Sequence, residues 1–216
     1  MDFLPILIAV IVVVGFIALL MVFSGSKGKS GKGSKQKSRQ VIIKEATRKL
    51  SQNPHNPDGL IPLANLYFQE QLWEKAYPLY ETMLNIAVAH SEINLGQASL
   101  RQGICALKIG KNEEAFKGLL QARKINPDSF ETNFYLGQAF INNKEVDKAI
   151  PLLRKALTIN KEVPEIYKYL GIALYQNHNF KESLPYLKRA LDITPDDKEL
   201  LFSMADAMKE GGSGDR

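Results

Sequence analysis

Tyr135-Leu136-Gly137-Gln138-Ala139-Phe140 is answered 34 residues later by Tyr169-Leu170-Gly171-Ile172-Ala173-Leu174. The same step carries the glycine back to Gly103 and forward to Ala205. Ala115, Ala149 and Ser183 form a second series of small residues, and Ala122, Ala156 and Ala190 a third. Small side chains on a fixed lattice mark places where helices approach closely, and a period of this length belongs to stacked helix pairs. The phased units are residues 96–129, 130–163 and 164–197, with an earlier one at 57–90 set off by five extra residues, 91–95. In each unit the mostly small or apolar residues fall at positions 4, 7, 8 and 11 and again at 20, 24, 27 and 28, with Gln102, Arg123 and Asn133 as exceptions. That is helical spacing twice, broken by a turn. The turns read Gly110-Lys111-Asn112, Asn142-Asn143-Lys144 and Asn177-His178-Asn179. Asn56-Pro57-Asp58 offers an N-cap, a proline at the first helical position and an acid in the first turn.

The two hexapeptides, with Ala149, Ala156, Ala190 and Pro195, resemble the tetratricopeptide repeat (TPR) family over residues 57–210. The departures are Ala64 in place of glycine, Val88 where a closing proline is usual, and Ser183 for alanine. The resemblance implies an all-α solenoid of antiparallel helix pairs. Pro78, Pro151 and Pro185 share one position near the start of the second helices, where few helical bonds are lost. Residues 41–53 phase as the second helix of a missing earlier repeat and are expected to cap a solenoid spanning 41–210. Residues 198–210 phase as a first helix without a partner: a terminal cap, with continuation into a longer protein as the alternative. Gly211-Gly212-Ser213-Gly214 then reads as a flexible tail over 211–216.

Residues 3–23 carry no charge and are long enough to cross a bilayer. A cleaved signal peptide would want a basic start, a shorter apolar core and a small-x-small site; here only Asp2 precedes the run. An uncleaved single-pass anchor is therefore expected, and export after cleavage is the alternative. Residues 24–40 hold Lys27, Lys29, Lys32, Lys35, Lys37 and Arg39 and no acid. Their Gly, Ser and Gln neighbours suggest a flexible linker. Basic flanks stay on the cytoplasmic side, which places the N-terminus outside and the repeats in the cytoplasm. Anionic lipid is a candidate contact for Lys27 to Arg39. The chain has 28 basic and 23 acidic residues; setting aside the six linker bases and Asp2 leaves 22 of each sign. A nucleic-acid binder would carry its excess on the folded part, so nucleic acid is not an expected partner.

No catalytic, cofactor or metal pattern stands out. His55, His90 and His178 fall in or near turns without a cysteine or acid cluster at ligand spacing. Gly28-Lys29-Ser30 ends like a P-loop but has Phe23 where the upstream glycine belongs. Cys105, the only cysteine, falls on a packing position and reads as core filler. The expected activity is protein binding without catalysis, the alternative being the anchoring or regulatory part of a longer enzyme. The TPR resemblance implies a concave groove lined by positions 2, 5, 9, 12 and 13 of each first helix. Candidate groove residues are Asn65, Phe68, Leu100, Ile104, Phe134, Gln138, Ile141, Glu165, Lys168, Tyr175 and Phe202. Acidic Asp58, Glu131, Glu165 and Glu199 form a ladder along one rim. The expected partner is an apolar peptide or amphipathic helix with basic flanks.

Overall fold

In the computed structural model, which describes residues 30–213, all regular secondary structure is helical. Helix α1 spans Ser30–Gln52 and lies in a unit that ends at Pro54. The second unit begins at His55 and holds the repeats. There α2 (Pro57–Gln69) pairs with α3 (Trp73–Ile86), and α4 (Leu95–Lys108) with α5 (Asn112–Ile125). Then α6 (Phe130–Asn142) pairs with α7 (Val146–Ile159), α8 (Pro164–Gln176) with α9 (Phe180–Leu191), and α10 (Lys198–Ser213) follows unpaired. The apolar segment 3–23 lies outside the described residues; among those described, no helix is long and apolar enough to cross a membrane.

Two boundaries differ from expectation. Helix α1 begins inside the segment read as a flexible linker. No proline interrupts residues 30–40, and extending an existing helix avoids the cost of a new nucleus. Helix α10 runs past Gly211 to Ser213 instead of stopping at residue 210. Gly211 lies on α9, where a Cβ would stand 3.5 Å from the Phe180 Cβ, and this packing carries the helix over a poor helix former.

The lattice glycines sit where two helices nearly touch. A Cβ on Gly137 would lie 2.8 Å from Leu153 Cγ, and one on Gly171 would lie 2.9 Å from Leu187 Cδ2. Gly103 stands in the same relation to Leu119. Those three leucines are fully buried, each filling the space its glycine leaves. Position 3 also belongs to the core, through Ala98, Thr132, Ile166 and Leu200. The second helix of each repeat packs on the first helix of the next, and α4, α6, α8 and α10 also touch one another in series. Each repeat is therefore held by its neighbours alone.

Asn133 breaks the apolar pattern for a reason the structure supplies. Its Nδ2 donates to the carbonyls of Pro127 (2.9 Å) and Ser129 (2.7 Å). Tyr167 stands at the same repeat position and donates its hydroxyl to Lys161 O at 2.9 Å. Pro127 and Lys161 are themselves 34 residues apart. So in these two repeats position 4 ties to the carbonyl of the preceding loop, through an amide in one and a phenol in the next, whereas Ser99 at the same position of the repeat before makes no such bond.

Pro78, Pro151 and Pro185 lie in the second turn of α3, α7 and α9, near the helix starts as expected. All three are exposed, so the carbonyl each leaves without a helical partner is on the wet side of its helix. The turns between paired helices share one backbone device. Gln71, Gly110, Lys144 and His178 all have positive φ, between 57° and 76°. The next N–H closes back on the helix, as in Glu145 N to Phe140 O at 2.9 Å, a Schellman closure. Only Gly110 adopts this conformation without a Cβ penalty. Lys144→Gly is therefore expected to stabilise the protein by about 1 kcal/mol. Urea denaturation followed by helical circular dichroism checks this; an unchanged or lowered midpoint would contradict the strain argument.

Candidate partner-binding groove

A groove of about 640 Å3 opens between α4 and α6, with the end of α5 closing one side. Leu100 and Ile104 of α4, Phe68 of α2, Ile125 of α5 and Tyr135 of α6 make its apolar surface. Asn94, Gln97, Arg101 and Glu131 bring polar groups to it. The helix ends are fixed locally: Asn94 Oδ1 accepts from Gln97 N (2.9 Å), capping α4, and Ser129 Oγ accepts from Thr132 N (3.2 Å), capping α6. Ile125 is the last residue of α5 and half exposed.

Arg101 organises the α2 side. Its guanidinium lies over the Phe68 ring, 5.2 Å from the centroid, and donates to Asn65 Oδ1. Tyr80 donates to the same Asn65 oxygen at 2.9 Å. Phe68 meets Trp73 and Tyr80 edge-on at 5.3 and 6.0 Å. Burial pushes the Tyr80 phenol up to about 12, against the opposing influence of Arg101. Asn65 thus spends its carbonyl on holding two repeats together, and Phe68 is held in place with one side towards the groove.

Of the groove residues expected from sequence, Phe68, Leu100 and Ile104 do line this site, and Ile104 is a floor residue, only 4% exposed. Phe134 and Gln138 are buried and are not among the residues that line this groove. The Phe134 ring stacks on Phe130 (5.5 Å) and meets Tyr135 and Tyr169 edge-on (5.2 and 5.6 Å), joining α6 to α8. Ile141 is half-buried and Glu165 exposed, both away from the groove. Lys168 is engaged by Asp197 at 2.6 Å and Glu199 at 3.7 Å. Burial works against its ammonium, but the bond to Asp197 and the two negative charges carry it above the ordinary lysine value. Tyr175 donates to Asp206 at 2.8 Å, and Phe202 lies further along on α10. The rim ladder is accordingly uneven: Glu131, Glu165 and Glu199 are all exposed, but Glu199 also stands beside a lysine.

Sequence reasoning missed Tyr135, Ile125 and Asn126. The signal for Ile125 was present, since Ile86, Ile125, Ile159 and Ile193 recur at one repeat position. Cys105 is buried and its thiol is pushed up to about 12 by desolvation, as suits a core residue. Among the described residues no group of three His, Cys, Asp or Glu is placed to hold a metal ion.

Residues 100–164 and 143–200 each match a family model described as tetratricopeptide repeat. No curated protein sequence matches the chain. Among solved structures, YrrB, a TPR protein with an unusual peptide-binding site, superposes with a TM-score of 0.64 at 18% identity, over 79% of this chain and 85% of its own. MamA from Desulfovibrio magneticus RS-1 gives 0.62 at 16% identity, over 77% and 92%. TTC0263, a thermophilic TPR protein of Thermus thermophilus, gives 0.52 at 21% identity, over 82% and 94%. At such identities the likeness is one of fold.

Proposed function

Since the chain carries tetratricopeptide repeats, we propose that it is a membrane-tethered scaffold that captures a segment of a partner protein and catalyses nothing. The observation that carries this reading is the groove between α4 and α6, where Leu100, Ile125 and Tyr135 offer apolar surface beside amides and a carboxylate. Interfaces of this kind take their affinity from a few aromatic and aliphatic anchors and their orientation from surrounding polar groups. YrrB, with its peptide-binding site, supports a peptide as the occupant on the same fold. Exposed Glu131 at the groove favours a segment with basic flanks, chiefly through faster encounter. Tethering rests on the uncharged run 3–23 and the lysines that follow it, which favour repeats on the cytoplasmic side.

Capture of the partner from native membranes tests this reading. Leu100→Glu and Tyr135→Ala are each expected to weaken capture by more than about 1 kcal/mol, or roughly fivefold, with helical content preserved. Deleting residues 3–23 should leave capture intact and move the complex to the soluble fraction. Capture unaffected by both groove variants would exclude this groove, and a complex that stays with the membrane after the deletion would exclude the tether.

A further inference from the structure

Gly96 opens the groove. It stands at the first position of its repeat, where the following repeats have Phe130 and Pro164. In the next repeat the Phe130 ring stacks on Phe134 at 5.5 Å, and Tyr169 meets Phe134 edge-on at 5.6 Å. One repeat earlier the same three positions hold Gly96, Leu100 and Tyr135, and all three line the groove. The lattice thus repeats an aromatic cluster with its first ring taken out. No backbone demand explains the glycine, because Gly96 does not adopt the left-handed conformation. A Cβ there would meet nothing closer than Ile125 Cγ2, at 3.0 Å, on a side chain that is half exposed. Gly103 differs: its Cβ would press on the main-chain nitrogen of Leu119 at 2.9 Å. The repeat at 130–163 carries Phe130 together with Ile159, the counterpart of Ile125, so the fold accepts a ring and an isoleucine at these two positions.

We propose that the groove takes an aromatic side chain of the partner segment, seated over Gly96 against Leu100 as Phe130 is seated against Phe134. This rests on the reading of the groove as the partner site, and it names the side chain that the site selects. Leu100 is shorter than Phe134, which leaves Tyr135 open to the incoming ring. Two rings in offset or edge-on contact gain free energy beyond the area they bury, and an aliphatic side chain does not. Charge complementarity sets the direction of the segment. Arg101 and Glu131 are the charged residues of the lining. The Arg101 guanidinium is turned to the α2 side, over the Phe68 ring. Glu131 is exposed on α6, where its carboxylate accepts from Ser129 Oγ at 3.1 Å. A basic residue next to the ring therefore belongs on the α6 side, and Arg101 disfavours one on the other side. Gln97 and Asn126 bring amides that can bond the main chain of the segment.

The test uses the full chain in detergent micelles, with isotope-labelled isoleucine and leucine methyl groups read by NMR. The probes are acetyl-Gly-Lys-Phe-Gly-amide and the same peptide with leucine in place of phenylalanine. The phenylalanine peptide is expected to move the Ile125 and Leu100 methyl signals by its ring current, and the leucine peptide to move them far less. The phenylalanine peptide should also bind at least about fivefold more tightly, the gain from an aromatic contact. Gly96→Phe supplies the ring from the chain itself, so it should keep the helical content and lose peptide binding. Glu131→Gln should weaken binding at low salt and leave the ring-current shifts in place. Equal binding of the two peptides, or no methyl shift with either at millimolar concentration, overturns the inference. A Gly96→Phe variant that binds the phenylalanine peptide as the parent does overturns it too. In each of these cases the groove reading is judged separately, by whether Leu100→Glu blocks capture from membranes. A parent that binds the peptide only after residues 3–23 are deleted makes a ring of the chain itself the occupant, and overturns the partner segment.

Discussion

Phe134→Ala is expected to cost about 3–5 kcal/mol of folding free energy, the range for truncating a buried phenylalanine. The side chain is 5% exposed and touches the rings of Phe130, Tyr135 and Tyr169. Its removal leaves a cavity at the junction of α6 and α8, and neighbour contacts are all that holds one repeat to the next. Urea denaturation should show a large fall in midpoint, and a second transition if the stack then parts at this junction. A loss below about 1 kcal/mol would mean that the aromatic cluster is not the tie described here. Capture experiments with this variant would report on folding as much as on binding, so Leu100 and Tyr135 are the better probes of the groove.

Gly137→Leu is expected to destabilise by about 1–3 kcal/mol through overpacking. The first added carbon already meets Leu153, itself fully buried, at 2.8 Å. Gly137→Ala should be milder, because the helix gains roughly 1 kcal/mol of propensity against the clash. The diagnostic measurement is a double-mutant cycle. If Gly137 is small in order to admit Leu153, then Leu153→Ala should recover part of what Gly137→Leu loses, with an interaction energy above about 0.5 kcal/mol. Strict additivity would place the two residues out of contact and break the repeat register.

The lattice could be read from sequence because it depends on backbone spacing, and residue size reports it directly. Gly103, Gly137 and Gly171 had to be small, and the leucines opposite them had to be apolar. The groove was harder to read, because a position in a first helix does not fix what its side chain meets. Leu100 and Phe134 occupy the same repeat position. Leu100 faces the groove, while Phe134 is covered by Tyr169 and Phe130, large side chains that come from the next repeat and from its own helix. The ladder acids do not share one environment: Glu199 matches Glu131 in spacing, but Lys168 reaches it from the preceding repeat. Asn133 read as an exception because its partner is a main-chain carbonyl, which sequence does not display. The reach of α10 past two glycines follows from docking on α9, a tertiary effect that overrides local propensity.

The position-4 tie makes the entries of two repeats, 130–163 and 164–197, interchangeable. Asn133 and Tyr167 differ in chemistry, yet both end on the carbonyl that stands at the same place in the loop before them. Excising residues 130–163 would bring Tyr167 to the carbonyl of Pro127, a bond of the kind it now makes with Lys161, and would keep each remaining glycine opposite its own leucine. The reading frame of this fold is thus one repeat long. Gene duplication or loss in units of that length could lengthen or shorten the binding surface without redesigning a junction, whereas a gain or loss of a few residues inside a helix would put every later contact out of step. Residues 91–95 show where such irregular additions are tolerated: between repeats, in a connection whose Ile93 is tucked into the core.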